Sequence, residues 1–212
     1  MKAKDLQERE PLPTVFIVDD DEAVRSSMKL LMKTAGLRAE AFASAQEFLS
    51  AFDPARGGCL VLDVRMPGMS GLGLQDELNA RGALLPIIFV TGHGDIPMAV
   101  EAMQHGAMDF LQKPFRDQEL LDRISRAFER DCAGRQLLGD HERIRARLAQ
   151  LTPREHEVMV LVTQGKANKV IAADLNVSQR TVEIHRSHVM EKMGANSLAH
   201  LVRMVIDVRG IP

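Results

Sequence analysis

Residues 59–71 read CLVLDVRMPGMSG. Cys59, Leu60, Val61 and Leu62 form an unbroken apolar run, the pattern of a strand buried on both faces rather than one with a wet side. The run ends in Asp63. Taking a lone carboxylate out of water at the end of such a strand is costly unless something compensates it. The rest of the chain has to supply that compensation.

Four further segments read as strands: TVFIVDD at 14–20, RAEAF at 38–42, PIIFVTG at 86–92 and MDFLQK at 108–113. Amphipathic stretches with helical spacing lie at 22–35, 44–51, 71–80, 97–105 and 117–130. Strands rich in Val, Ile and Leu that alternate with helices predict a five-stranded parallel sheet covered on both faces. This is a doubly wound α/β domain over residues 14–131. In such sheets a binding site lies beyond the carboxyl ends of the strands, where the strand order reverses.

That edge collects the polar residues. The first strand ends in Asp19 and Asp20, the third in Asp63, the fourth in Thr91 and the fifth in Lys113. Gathered carboxylates repel one another unless a cation joins them, and a few hard oxygen ligands open to water suit Mg²⁺. Lys113 adds a second positive charge and Thr91 a hydroxyl. Together they make a cradle for a transferred phosphoryl group, with Asp63 as the carboxylate nucleophile, a metal to neutralise charge, and Lys113 and Thr91 to bind the oxygens. Taken singly, an Asp–Asp pair after a strand is more often a helix cap, and Lys-Pro a turn. Their joint occurrence at four strand ends carries the reading.

Composition narrows the alternatives. The chain has 212 residues, 45% of them hydrophobic, enough for one large domain or two small ones. Cys59 and Cys132 lie far apart without CxxC spacing, so neither a disulfide framework nor a zinc site is indicated. The opening MKAKDLQEREPLP is charged, unlike a secretory signal, and no run of 18 apolar residues could span a membrane. A cytoplasmic setting without a membrane partner is expected. Trp and Tyr are absent, which leaves few stacking platforms for flavins or single-stranded nucleic acid. Residues 1–131 carry 15 Lys and Arg against 21 Asp and Glu, whereas 132–150 carry 4 against 2 and 151–212 carry 8 against 6. An acidic front and a mildly basic back suggest two modules with different partners.

Two enzyme classes share part of the pattern. A haloacid-dehalogenase phosphatase would place a second Asp two residues after the strand-end Asp, where this chain has Arg65. A flavodoxin would need a Thr- and Gly-rich phosphate loop after the first strand. Here residues 19–22 are all acidic and would repel a flavin phosphate.

Beyond residue 131 the pattern changes. The stretch CAGRQLLGDHERIRARLAQ is interrupted by Gly134 and Gly139, although Ile144, Leu148 and Leu151 keep helix-face spacing. A semi-flexible linker over 132–147 is expected. LTPREHEVMVLVTQG then opens a helix, with Thr152 as cap, Pro153 in the first turn, Glu155 completing a capping box and Gly165 as the stop. NKVIAADLN predicts a short helix with Val170, Ile171 and Leu175 inward, and Ser178 caps a longer helix in VSQRTVEIHRSHVMEKMGA. Short helix, tight turn and longer helix make a helix-turn-helix, and SLAHLVRMVIDV closes a small all-α domain of four helices over 148–212. On the longer helix Thr181, His185 and His188 lie near one another, with Arg180, Arg186 and Lys192 around them. These can hold DNA phosphates, while Glu183, Ile184 and Ser187 could face base edges. The two histidines read as polar surface rather than as a metal site, since no Cys or further His has ligand spacing.

Residues 14 to about 131, with Asp19, Asp20, Asp63, Thr91 and Lys113 before Pro114 all in place, resemble the receiver domain of two-component response regulators, whose fold is flavodoxin-like and CheY-like. TGHGDIPMAVEAM and KPF are most similar to the FixJ subgroup, with Gln104 where a Lys is common there. LTPREHEVM, GKANKVIAADLNVSQRTVEIHR and VMEKMGANSLAHLVR resemble the LuxR-type helix-turn-helix. The resemblance implies that Asp63 is the phosphoacceptor. Asp19, Asp20, Asp63 and the backbone carbonyl of Arg65 would hold Mg²⁺, with Asp20 the more direct ligand. Thr91 would be the switch hydroxyl, Phe110 the switch aromatic and Lys113 the family's lysine. Lys169, Arg180, Thr181, His185, Arg186 and Lys192 would lie on the phosphate side of a DNA complex, and Glu183, Ile184 and Ser187 would read bases. The expected protein is a phosphorylation-dependent transcriptional regulator, and no enzyme beyond an intrinsic autophosphatase activity. It would take its phosphoryl group from a sensor histidine kinase and dimerise through the face of the fourth helix and fifth strand around Val100, Met103 and Gln104. As a dimer it would bind double-stranded promoter DNA, with RNA polymerase as a further partner.

Overall fold

The computed structural model describes residues 12–92 and 96–209. His93, Gly94 and Asp95 of the TGHGDIP motif lie outside them, as do the charged opening residues 1–11. The strands are β1 (Thr14–Val18), β2 (Arg38–Phe42), β3 (Gly58–Leu62), β4 (Ile87–Thr91) and β5 (Asp109–Gln112). They form one parallel sheet in the order β2-β1-β3-β4-β5. Every residue of β1, β3 and β4 is buried. Successive side chains of a strand point to opposite faces, so each apolar run feeds two cores at once. Phe16, Val18, Leu60, Leu62 and Phe89 pack on one side with Phe48. Val15, Ile17, Cys59, Val61 and Ile88 pack on the other with Leu120 and Ile124. At the edge, β2 alternates exposed and partly buried positions and closes the sheet.

The helices α1 (Glu22–Thr34), α2 (Ala45–Ala51), α3 (Gly71–Ala80) and α4 (Ile96–Gln104) connect the strands, and α5 (Asp117–Leu148) follows β5. The chain divides into two compact units between Arg135 and Gln136, and α5 belongs to both. The segment 132–147, expected to be a semi-flexible connector, is therefore helical. Gly134 and Gly139 each disfavour helix by about 1 kcal/mol relative to alanine, but both ends of the segment are held. Asp131 is buried in the first unit and pairs with Arg135 at 2.9 Å. In the second unit Ile144 and Leu148 pack against the core, and Arg147 donates to the carbonyl of Met193 at 2.8 Å.

The second unit adds α6 (Pro153–Thr163), α7 (Asn168–Asp174), α8 (Gln179–Met193) and α9 (Leu198–Arg209). Thr152 and Glu155 form the expected capping box, Ser178 caps α8, and α8 ends at Gly194 with φ +61°. The turn between α7 and α8 runs through Asn176 at φ +53°, a left-handed conformation that asparagine tolerates better than most residues. Ile171, Val158, Val162 and Val182 lock α7 against α6 and α8, with Leu175 partly buried beside them. Val170, expected inward, is 47% exposed. A seven-residue helix presents only about two turns, and its inner face is filled by Ile171 and Ala172.

Candidate functional site

The sheet register brings the first unit's polar residues together. In the β1–β3 pairing Val18 lies opposite Leu62, so Asp19 and Asp63 leave the sheet side by side. In the β4–β5 pairing Thr91 lies opposite Gln112, which sets Lys113 just past the hydroxyl. The backbone N–H of Asp63 donates to Val18 and that of Lys113 to Thr91, both at 2.9 Å, so each side chain starts from a hydrogen-bonded anchor.

The ammonium of Lys113 donates to Asp19 Oδ2 at 2.7 Å and to Asp63 Oδ1 at 3.3 Å. Asp63 Oδ2 accepts the N–H of Arg65 at 2.7 Å, and Asp19 Oδ1 accepts that of Asp21 at 2.9 Å. Asp19 and Asp63 are 3% and 8% exposed, while Asp20 is exposed at the mouth. Burial pushes the Asp63 carboxyl above the ordinary carboxylate range. The Arg65 N–H and the Lys113 charge pull it down, and Asp19 adds to the rise. Burial disfavours the charged form of Lys113, but the hydrogen bond and charge of Asp19, with those of Asp63, more than offset this and hold its pKa above that of a free lysine. The cap role that an acidic pair could have filled falls instead to Asp21, whose carboxylate accepts from Ala23 and Val24 at the start of α1.

Thr91 is buried at the end of β4. Phe110 is half-buried on β5, packed against the core with its ring centroid 6.3 Å from that of Phe89. Ile96, Val100 and Met103 of α4 are 81%, 48% and 47% exposed, and Gln104 is exposed beside them.

Two supports were not read from the sequence. Arg25 donates to the backbone carbonyls of Asp19 and Asp20 at 2.8 and 2.9 Å, pinning the acidic turn. Gly71 approaches so closely that a Cβ there would lie 2.2 Å from the carbonyl oxygen of Asp63. The glycine was visible; the contact that demands it depends on how α3 enters the sheet edge.

In the second unit α8 presents Arg180, Glu183, Ile184 and Ser187 to solvent, and Lys169 is exposed on α7. Thr181 shares a 2.7 Å hydrogen bond with the cap Ser178. Arg186 is half-buried and reaches Asn168 Oδ1 on α7 at 3.1 Å. His185 is also half-buried. Lys192, which the sequence reading placed on the phosphate side, is partly exposed on the same helix. Its ammonium binds Glu155 Oε2 at 2.6 Å and the carbonyl of Gln150 at 3.3 Å. The Lys192 hydrogen bond and the Thr152 N–H hold the Glu155 carboxyl down at about 2. Cys59 is buried and free, and burial pushes its thiol far up. Among the described residues no helix is long and apolar enough to cross a membrane.

An acidic pocket with a lysine at the strand ends of a doubly wound sheet, joined to a helix-turn-helix unit, is the architecture of a two-component response regulator. Residues 15–125 match the response regulator receiver domain and residues 149–205 match the luxR family of bacterial regulatory proteins. The chain belongs to this family of receiver-plus-LuxR-type regulators, in its FixJ subgroup, and is a transcriptional regulator of a two-component system. Nodulation protein W of Bradyrhizobium diazoefficiens is 51% identical over 190 residues, covering 90% of this chain and 84% of that protein. The transcriptional regulatory protein FixJ of Rhizobium meliloti is 48% identical over 193 residues, covering 91% and 95%. Among solved structures, the response regulator StyR matches with a TM-score of 0.84 at 45% identity, over 92% of this chain and 98% of that one.

Proposed function

We propose that Asp63 accepts a phosphoryl group from a phosphohistidine of a sensor histidine kinase. The observation that carries this is the Lys113 ammonium held between Asp19 and Asp63 at the strand ends, at 2.7 and 3.3 Å. A carboxylate oxygen of Asp63 forms the new bond to phosphorus. The phosphorus–nitrogen bond of the donor breaks, and the imidazole leaves with the electron pair. Lys113 is within reach of the acceptor carboxylate and can follow the charge onto the phosphoryl oxygens, with the Thr91 hydroxyl as a further donor. Water then hydrolyses the resulting acyl phosphate, an intrinsic autophosphatase activity that returns Asp63 to its resting carboxylate.

The donor set fits Mg²⁺. Asp19, Asp20 and Asp63 bring three carboxylates against the single ammonium of Lys113, which leaves two negative charges around hard oxygens with Asp20 open to water. Asp19, Asp20, Asp63 and the Arg65 carbonyl would hold the ion. When bound it supplies charge neutralisation for the transferring group.

Phosphorylation is read out through Thr91 and Phe110. A hydroxyl drawn toward the phosphoryl oxygens vacates space beside Phe110, which is only half-buried, and the change reshapes the α4–β5 face. The exposed Ile96, Val100 and Met103 make that face the surface for a second copy. Dimers then engage two half-sites in promoter DNA, where Lys169, Arg180, Thr181, His185, Arg186 and Lys192 contact phosphates and Glu183, Ile184 and Ser187 face bases. RNA polymerase is the further partner such a promoter complex would meet.

Labelling with acetyl phosphate tests the first step. Asp63→Asn should abolish it, because an amide does not attack phosphorus, and chelating Mg²⁺ should do the same. Undiminished labelling of the Asn variant would sink the assignment.

A further inference from the structure

Away from the strand ends, metal-ligating side chains converge at one other place among the described residues. Glu155 of α6 and His185 and His188 of α8 each offer a ligand atom, and the three atoms lie within 4.8 Å of one another. The sequence reading dismissed the two histidines for want of a third ligand with local spacing. The third ligand comes from a different helix.

The two oxygens of Glu155 face different partners. Oε2 accepts the Thr152 N–H at 2.8 Å and the Lys192 ammonium at 2.6 Å, while Oε1 lies 3.6 Å from His188 Nδ1. Bonds of about 2.0–2.1 Å to a tetrahedral ion set neighbouring ligand atoms roughly 3.3 Å apart, so this pair is within a few tenths of an ångström of spanning one. The carboxylate is buried and held in place by its cap and its lysine, so it has little orientational freedom to lose on binding. His185 carries a second signal. Its Nδ1 atom is buried and has no hydrogen-bond partner, a state that folded proteins rarely leave without a water or an ion. Residues three apart on a helix share a face, so both imidazoles approach from the same side of α8. His188 is half-exposed and provides the way in.

Two imidazoles and one carboxylate are a borderline ligand set. It suits Zn²⁺, Co²⁺ or Ni²⁺, whereas Mg²⁺ and Ca²⁺ prefer all-oxygen surroundings. We propose that Glu155, His185 and His188 bind a divalent transition ion of the Zn²⁺ class, with its fourth position open to water. The ion ties α8 to α6 across the helix-turn-helix, and the site stands whether or not α8 contacts DNA.

Co²⁺ titration of the full-length protein in millimolar Mg²⁺, which keeps the strand-end pocket supplied with its own ion, tests this. The expected result is one Co²⁺ per chain with visible bands of a four-coordinate nitrogen–oxygen site, displaced by Zn²⁺ and unchanged in Asp63→Asn. Loss of outer partners of metal ligands already costs about 10- to 100-fold in affinity, so His185→Gln and His188→Gln should each weaken binding at least about tenfold. His188 is half-exposed, and its glutamine variant should keep the helical circular dichroism of the parent, so that variant alone can decide. Binding unchanged in His188→Gln, absent altogether, or abolished by Asp63→Asn would overturn the proposal.

Discussion

Replacing Asp131 with alanine should loosen the first residue of β3, on an element more than 70 positions away in sequence. Gly58 opens that strand at φ +152°, and a Cβ there would lie 1.9 Å from the carbonyl oxygen of Thr14. Only glycine fits, and its N–H donates to Asp131 Oδ2 at 2.8 Å in a buried setting. The same carboxylate accepts from Arg135 Nε at 2.9 Å, and Arg135 goes on to donate to the carbonyls of Pro54 and Arg56 at 2.8 and 2.6 Å. Stranding a buried N–H costs about 1–3 kcal/mol. The lost ion pair adds about 1 kcal/mol, since Arg135 is partly exposed and keeps its two carbonyl partners. The better helix propensity of alanine returns roughly half a kcal/mol. A net loss of about 1.5–3.5 kcal/mol corresponds to a roughly 13- to 370-fold faster exchange of the protected β3 amides, if exchange follows local opening. Amide hydrogen exchange read by mass spectrometry or NMR measures this without an aromatic probe, which suits a chain lacking Trp and Tyr. Arg135→Ala leaves the Gly58 bond intact and should accelerate the same amides by about tenfold or less. If β3 in Asp131→Ala exchanges within a factor of about three of the parent, this latch between α5 and the sheet does not carry the load assigned to it.

Four other outcomes follow from the geometry. Gly71→Ala drives a methyl to 2.2 Å from the Asp63 carbonyl, and should cost the receiver unit about 2 kcal/mol or more and depress acetyl-phosphate labelling; a normal melting temperature with normal labelling would count against the close approach. The Glu155 carboxyl lies at about 2 when folded, below the roughly 4.3 of a free glutamate, so its stabilisation is complete above about pH 4.3 and is lost as the pH falls toward 2. Thermal melts of the α6–α9 unit should drop through that window, and Glu155→Gln should flatten the drop. Thr91→Ala should still be labelled yet fail to dimerise on size-exclusion chromatography, and dimers like the parent's would rule out the Thr91–Phe110 route. Arg180→Ala should weaken all duplexes and reduce the salt slope by about one, whereas Glu183→Ala should change which operator is preferred; the same salt slope in Arg180→Ala would remove it from the phosphate contacts.

The strands were legible to within a residue or two because each apolar run had to satisfy two cores, a demand written in consecutive residues. The strand-end site was legible for the same reason, since pairing Val18 with Leu62 leaves Asp19 and Asp63 no choice but to emerge together. The length of α5 was not legible. Local propensity at Gly134 and Gly139 argued for a break, and the counterweights are a buried carboxylate at one end and apolar packing at the other. Neither can be weighed before the fold is known. Lys192 shows the complementary limit. Its hydrogen-bond partner Glu155 sits 37 residues earlier, where no local pattern of the helix points to it. Glu155 itself was correctly read as a capping residue, but a capping box engages only part of a carboxylate, and nothing in the local pattern says what meets the rest.

The continuous helix α5 has a bearing on how the protein ages. Leu137 and Leu138 are 59% and 48% exposed, and Gly134 and Gly139 flank them. Together the glycines cost this stretch about 2 kcal/mol of helix stability relative to alanines, and side chains left in solvent return little by packing. The backbone over 136–143 should therefore open more often than the turns around Ile124 and Ala127, which are fixed in the core. A protease would find that stretch before the core-held turns of the same helix and leave a compact unit on either side of the cut. The released C-terminal unit would keep the helix-turn-helix but would have lost the receiver. A cut there would therefore separate the two activities in one step, leaving neither unit able to act on the state of the other.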